Sequence, residues 1–152
     1  MYEQAKKEFA SYGADVESAM ETLARIPIGV HCWQCDDVLG FDGDGALSGG
    51  IQTTGNYMGR ARNFAELTAD IEKAFSLMPG KKRLNLHASY ATLDGDDCDR
   101  DAYAPKHFAK WVEFAKKIGA DVIHLNPTMF SHKNVKARLT LSAPDEKIRA
   151  FW

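Results

Sequence analysis

Three short segments of this chain carry the residue types from which a polar binding site is built. The first runs Ile28-Gly29-Val30-His31-Cys32-Trp33-Gln34, the second Arg83-Leu84-Asn85-Leu86-His87-Ala88, the third Val122-Ile123-His124-Leu125-Asn126. Read as β-strands, their side chains alternate between two faces. Ile28, Val30 and Cys32 then share one face and His31 and Trp33 the other. Leu84 and Leu86 oppose Asn85 and His87, and Ile123 and Leu125 oppose His124 and Asn126. Each strand presents an apolar face for helices to cover and polar or aromatic groups on the other, gathered toward its C-terminal end. Histidine and asparagine supply hydrogen-bond donors and acceptors, and tryptophan an apolar wall. The combination suits a polyhydroxylated ligand. A single histidine on a strand is more often a satisfied core residue than a catalyst. Three at the same level of neighbouring strands bring a binding site level with the packed-core alternative, and the residues alone leave both open.

The remaining motifs are weaker. Cys32-Trp33-Gln34-Cys35 has redox-type spacing, but it begins on a strand and Asp36-Asp37 follow, where a reactive thiol needs a helix start or nearby cations. A zinc site needs two further ligands, and no second such pair exists. Asp42-Gly43-Asp44-Gly45 and Asp94-Gly95-Asp96-Asp97 resemble calcium loops, yet the twelfth positions hold Thr53 and Pro105 instead of glutamate. Both read as solvated loops. The glycines of residues 49–59 lack the Lys-Ser/Thr of a phosphate loop. Arg60 and Arg62 read as surface charges, and Phe108, Trp111 and Phe114 as core packing.

The elements that must hold these residues follow from periodicity and caps. Tyr2 to Tyr12 forms a helix stopped by Gly13. Asp15 caps a second helix with Val16, Met20 and Leu23 on one face. Pro27 ends it and the first strand begins. A connection of roughly thirty residues follows, far beyond the usual limit for a compact domain, which marks it as functional or disordered. Its aliphatic and aromatic residues argue against plain disorder. Asn63 and Glu66 open a third helix with capping-box spacing, and its stripe is Phe64, Leu67, Ile71, Phe75 and Met78. Pro79-Gly80 ends it. Pro105 starts a fourth helix with Phe108, Trp111, Val112, Ala115 and Ile118 as its apolar face, stopped by Gly119. Ser142 caps a last one. Strands alternating with helices predict parallel pairing, with the helices on one side. The expected class is α/β: about three parallel βα units preceded by two helices, as in the N-terminal part of a (β/α)8 barrel, whose sites lie at the C-terminal ends of the strands. Residues 1–152 form one partial barrel domain. Ala150-Phe151-Trp152 would end a helix on two exposed aromatics, and a three-stranded sheet would leave two open edges, so the chain reads as the front portion of a longer one.

The composition, 152 residues at 45% hydrophobic, 26% charged and formal net charge −2, fits a soluble globular protein and gives no electrostatic case for nucleic acid or an anionic membrane. No apolar run is long enough to span a bilayer and the amino terminus has no signal core, so a cytoplasmic protein is expected. Three cysteines do not suggest a disulfide framework.

His31-Cys32-Trp33-Gln34, Asp36-Asp37-Val38 and the string Gly49-Gly50-Ile51-Gln52-Thr53-Thr54-Gly55-Asn56-Tyr57 resemble the L-rhamnose isomerase family. So do Asn85-Leu86-His87-Ala88, Pro105-Lys106-His107-Phe108, Asn126-Pro127-Thr128, Phe130-Ser131-His132 and Leu139-Thr140-Leu141-Ser142 with the residues after it. The similarity runs in order over essentially the whole chain and matches the amino-terminal third of such enzymes. It implies a (β/α)-barrel aldose–ketose isomerase, homotetrameric at full length, that interconverts L-rhamnose and L-rhamnulose with a divalent metal, usually manganese. The family's metal-binding and catalytic residues come from later strands, so this chain is expected to hold no metal and to be inactive alone. His31, Trp33, His87 and Asn126 would line one wall of the sugar pocket. The chain departs from the family pattern at Cys35 (usually glycine), Met58 (proline), Ala143 (histidine) and His124 (aspartate), which sets His124 outside the expected site. The alternatives are another metal-dependent sugar isomerase or epimerase on the same barrel, and a non-catalytic sugar-binding fragment.

Overall fold

The computed structural model describes residues 1–30, 40–42, 61–129 and 132–152. Two short helices come first, α1 (Tyr2–Ser11) and α2 (Val16–Arg25). The Asp15 carboxylate caps α2 by accepting the Ser18 N–H at 3.2 Å, as the sequence predicts. Glu17 clips the two helices together, accepting from Tyr2 Oη at 3.0 Å and from Lys6 Nζ at 2.7 Å. Neither helix buries a residue among the described ones: Met20 and Leu23, expected on a packed face, are exposed.

The rest alternates strand and helix: β1 (Ile28–Val30), α3 (Phe64–Leu77), β2 (Lys82–His87), α4 (Ala109–Lys117), β3 (Ile123–Asn126) and α5 (Glu146–Phe151). The three strands form one parallel sheet in the order β1-β2-β3. Leu84 and Leu86 of β2 are fully buried with Leu67, Ile71 and Phe75 of α3 and Trp111 and Phe114 of α4. One face of the middle strand thus takes both helices, which touch each other through Phe64 and Trp111, 4.7 Å apart edge to face. This is the one-sided arrangement that right-handed crossovers impose. The Trp111 indole N–H donates to the Tyr90 carbonyl at 2.8 Å, so its burial strands no donor. The edge strands are covered less completely than the alternation predicts. Ile28 and Leu125 are exposed, because α3 and α4 are centred on β2. Val112 of α4 is also exposed.

Two helix starts differ in detail from their sequence signals. Asn63 caps α3 by accepting the Glu66 N–H at 3.0 Å, but the Glu66 carboxylate returns to the Arg62 N–H at 2.8 Å, one residue before the cap. The α5 cap is Asp145, which accepts the Lys147 N–H at 2.9 Å, and not Ser142. Pro144 disfavours helical backbone at Ala143 and has no N–H to donate, so the helix begins past it. Pro105 opens a single 3₁₀ turn, Pro105–Phe108, that leads into α4. The aromatics ending α5 are half-buried, a correction to the exposed patch that their position suggested. Phe151 stacks on His132 with ring centres 5.0 Å apart, and the Trp152 indole donates to the Asn134 carbonyl at 3.1 Å.

Candidate functional site

Parallel register decides which strand residues meet. His87 pairs with Asn126 and Asn85 with His124 across β2 and β3. His87 and Asn126 are the last residues of their strands, so two of the four predicted pocket residues stand side by side at the C-terminal edge of the sheet. His124 is exposed, apart from that pair in burial. His31 and Trp33, like Cys32 and Cys35, lie outside the described residues.

Thr128, two residues past β3, links the pair. Its hydroxyl oxygen is 3.2 Å from His87 Nδ1, accepts the Ser89 N–H at 3.3 Å and donates to the Asn126 carbonyl at 3.2 Å. Its own N–H donates to Asn126 Oδ1 at 2.9 Å, closing the turn that an asparagine favours. His87 is 2% and Thr128 1% exposed. Tyr90 meets the imidazole edge to face at 5.5 Å. Thr128 has φ 53, an unusual value for a β-branched residue. The sequence showed the Asn-Pro-Thr spacing but gave no role to the threonine.

A buried ion pair braces the same edge. Arg100 donates to Asp42 from Nε at 2.7 Å and from Nη2 at 3.2 Å, and to the Thr128 carbonyl from Nη1 at 2.6 Å. Tyr103 Oη donates to Asp42 at 2.6 Å. Burial and this acceptor push the Tyr103 phenol well above its ordinary range, so it stays protonated. Asp42, read from sequence as part of a solvated loop, has a side chain only 4% exposed. Its segment docks on the end of β2. Phe41 N–H donates to the Ser89 carbonyl at 2.7 Å, and Gly40 has φ +98 where a Cβ would come within 2.8 Å of the Ser89 Cβ. Only glycine fits there.

Two other histidines serve the loops. His107 Nδ1 accepts the Ala104 N–H at 3.1 Å, and its Nε2 faces Asp96 at 3.0 Å, with Cys98 Sγ at 3.9 Å. His132 Nδ1 accepts the Asn134 N–H at 3.1 Å, and its Nε2 faces Asp99 at 2.7 Å. Burial pushes the Asp99 carboxyl up. Hydrogen bonds from Lys133, the Arg100 N–H and His132 outweigh it and hold the pKa down to about 2. A cleft of about 480 Å³ lies between Phe108, Leu125, Pro127, Phe151 and Trp152, but neither His87 nor Asn126 lines it. The hydrogen-bonding pair and this cleft are therefore different places. Among the described residues no three His, Cys, Asp or Glu side chains converge where a metal ion would sit. These residues do not fit a metal centre, and none of the roles given to them depends on one.

The family model for L-rhamnose isomerase (RhaA) matches residues 1–152, the whole chain. The chain belongs to the L-rhamnose isomerase family. Among curated relatives, the L-rhamnose isomerase of Mannheimia succiniciproducens is 56% identical over 99% of this chain. Those of Salmonella paratyphi B and Salmonella gallinarum are each 53% identical over 99% of it. In all three the alignment covers 36% of the relative, so the chain spans about a third of the length of the family members it matches. The mixed α/β architecture with a three-stranded parallel sheet is consistent with part of a (β/α) barrel.

Proposed function

We propose that this chain supplies the first βα units of a (β/α)8-barrel L-rhamnose isomerase, a cytoplasmic homotetramer that interconverts L-rhamnose and L-rhamnulose with a divalent metal, manganese. The family match across the whole chain carries the reading. The metal would supply Lewis acidity toward the sugar oxygens, from ligands outside the residues described here. In this reading residues 1–152 are one partial barrel domain, and His31, Trp33, His87 and Asn126 form one wall of the sugar pocket. His87 and Asn126 would bind and orient hydroxyl groups, with Trp33 covering a C–H face. The adjacency of His87 and Asn126 at the strand ends supports this assignment.

A chimera tests it. This chain replaces the matching third of the Mannheimia enzyme, and conversion of L-rhamnose to the ketose is followed with and without a chelator. The expected result is chelator-sensitive turnover, reduced at least tenfold by Asn126→Ala through a rise in KM. A folded chimera that leaves L-rhamnose unchanged but converts another aldose overturns the substrate assignment. The 152 residues alone are expected to give no turnover.

A further inference from the structure

We propose that Thr128 is a positioning residue that holds His87 as its Nδ1–H tautomer, leaving Nε2 as the proton-accepting nitrogen of the neutral ring. A threonine hydroxyl has one proton and two lone pairs. The Ser89 N–H only donates and occupies one lone pair at 3.3 Å. The Asn126 carbonyl only accepts and takes the proton at 3.2 Å. One lone pair remains, 3.2 Å from His87 Nδ1, and that contact is a hydrogen bond only when Nδ1 carries the hydrogen. The opposite tautomer either sets two lone pairs against each other or diverts the hydroxyl proton from the Asn126 carbonyl. Both Thr128 and His87 are almost fully buried, so the missing bond would not be replaced cheaply by water.

The hydroxyl is not free to shift. The Thr128 N–H is held by Asn126 Oδ1 at 2.9 Å and its carbonyl by Arg100 Nη1 at 2.6 Å. Those two bonds fix the backbone at φ 53, a conformation that persists only where its surroundings enforce it. His107 and His132 are set the other way. Each accepts a backbone N–H at Nδ1, so each neutral ring carries its hydrogen on Nε2. A neutral His87 in this tautomer can only accept a hydrogen bond at Nε2 from a ligand hydroxyl; its one N–H is spent on Thr128. That consequence rests on the sugar-pocket reading; the tautomer does not.

Two-bond 1H–15N correlation spectra of the 15N-histidine-labelled chain, at a pH where the rings are neutral, decide the matter. His87 is identified by its loss in His87→Asn, and His107 and His132 are internal Nε2–H references. The expected wild-type pattern is a protonated Nδ1 and an unprotonated Nε2, kept in Thr128→Ser and reversed toward Nε2–H in Thr128→Val. A wild-type His87 with Nε2–H, or with a fast-exchanging mixture, overturns the proposal. So does an Nδ1–H form that survives in a folded Thr128→Val. If Thr128→Val does not fold, the wild-type and Thr128→Ser spectra still decide. An inactive chimera with the expected tautomer would discard the sugar reading alone.

Discussion

Arg100 and Asp42 have side chains 5% and 4% exposed, and each is the other's counter-charge. Removing one partner leaves the other charge buried and uncompensated, which costs about 3–5 kcal/mol. Arg100→Met is therefore expected to lower the urea midpoint sharply, and the pair Arg100→Met with Asp42→Leu to recover part of the loss. Asp99 sets a pH dependence. Its pKa falls from the usual 3.8 to about 2 in the fold, so it adds stability above pH 4 that is lost as the pH falls toward 2. Urea titrations at stepped pH should show wild type ahead of Asp99→Asn at pH 7, with the gap closing over that window. The sequence disclosed these residues unevenly. His87 and Asn126 were legible because strand alternation places them on one face, and register then seated them side by side. Asp42 was not, because its partner lies 58 residues away and nothing local separates a buried loop aspartate from a solvated one.

Helices were legible wherever a cap and an apolar stripe agree. In α3 the Asn63 cap and the Leu67, Ile71 and Phe75 stripe are both present as read. The α5 start was misplaced because two capping residues flank Pro144 and only the later one precedes backbone free to turn. Asp145→Ala should accordingly lower stability by about 1 kcal/mol, whereas Ser142→Ala should stay within about 0.5 kcal/mol. Equal effects in thermal melts would return the cap to Ser142. Stripes on α1 and α2 were equally clear in sequence, yet Tyr2, Phe9, Tyr12, Met20 and Leu23 remain exposed and only Val16 is half-buried. Periodicity reports which side of a helix is apolar and says nothing about whether a neighbour covers it.

The molecule as a whole is organised around its middle strand. Leu84→Ala removes a side chain of zero exposure and is expected to cost about 2–5 kcal/mol, while Leu125→Ala on the edge strand should change stability by less than about 1 kcal/mol. Comparable losses in urea denaturation would mean that β3 is covered as fully as β2. The parallel order and the side on which the helices lie followed from alternation and handedness; the uneven cover of the edges did not, since it depends on what packs outside the sheet. Arg100 also spans all three strands. It stands after β2 and grips Asp42 from the stretch after β1 and the Thr128 carbonyl after β3. Loops at the mouth of such a scaffold are often treated as exchangeable modules. Here they are a set of three sharing one fastener, so transplanting any one of them into a relative would strand its counterpart, and only a joint transfer preserves the rim.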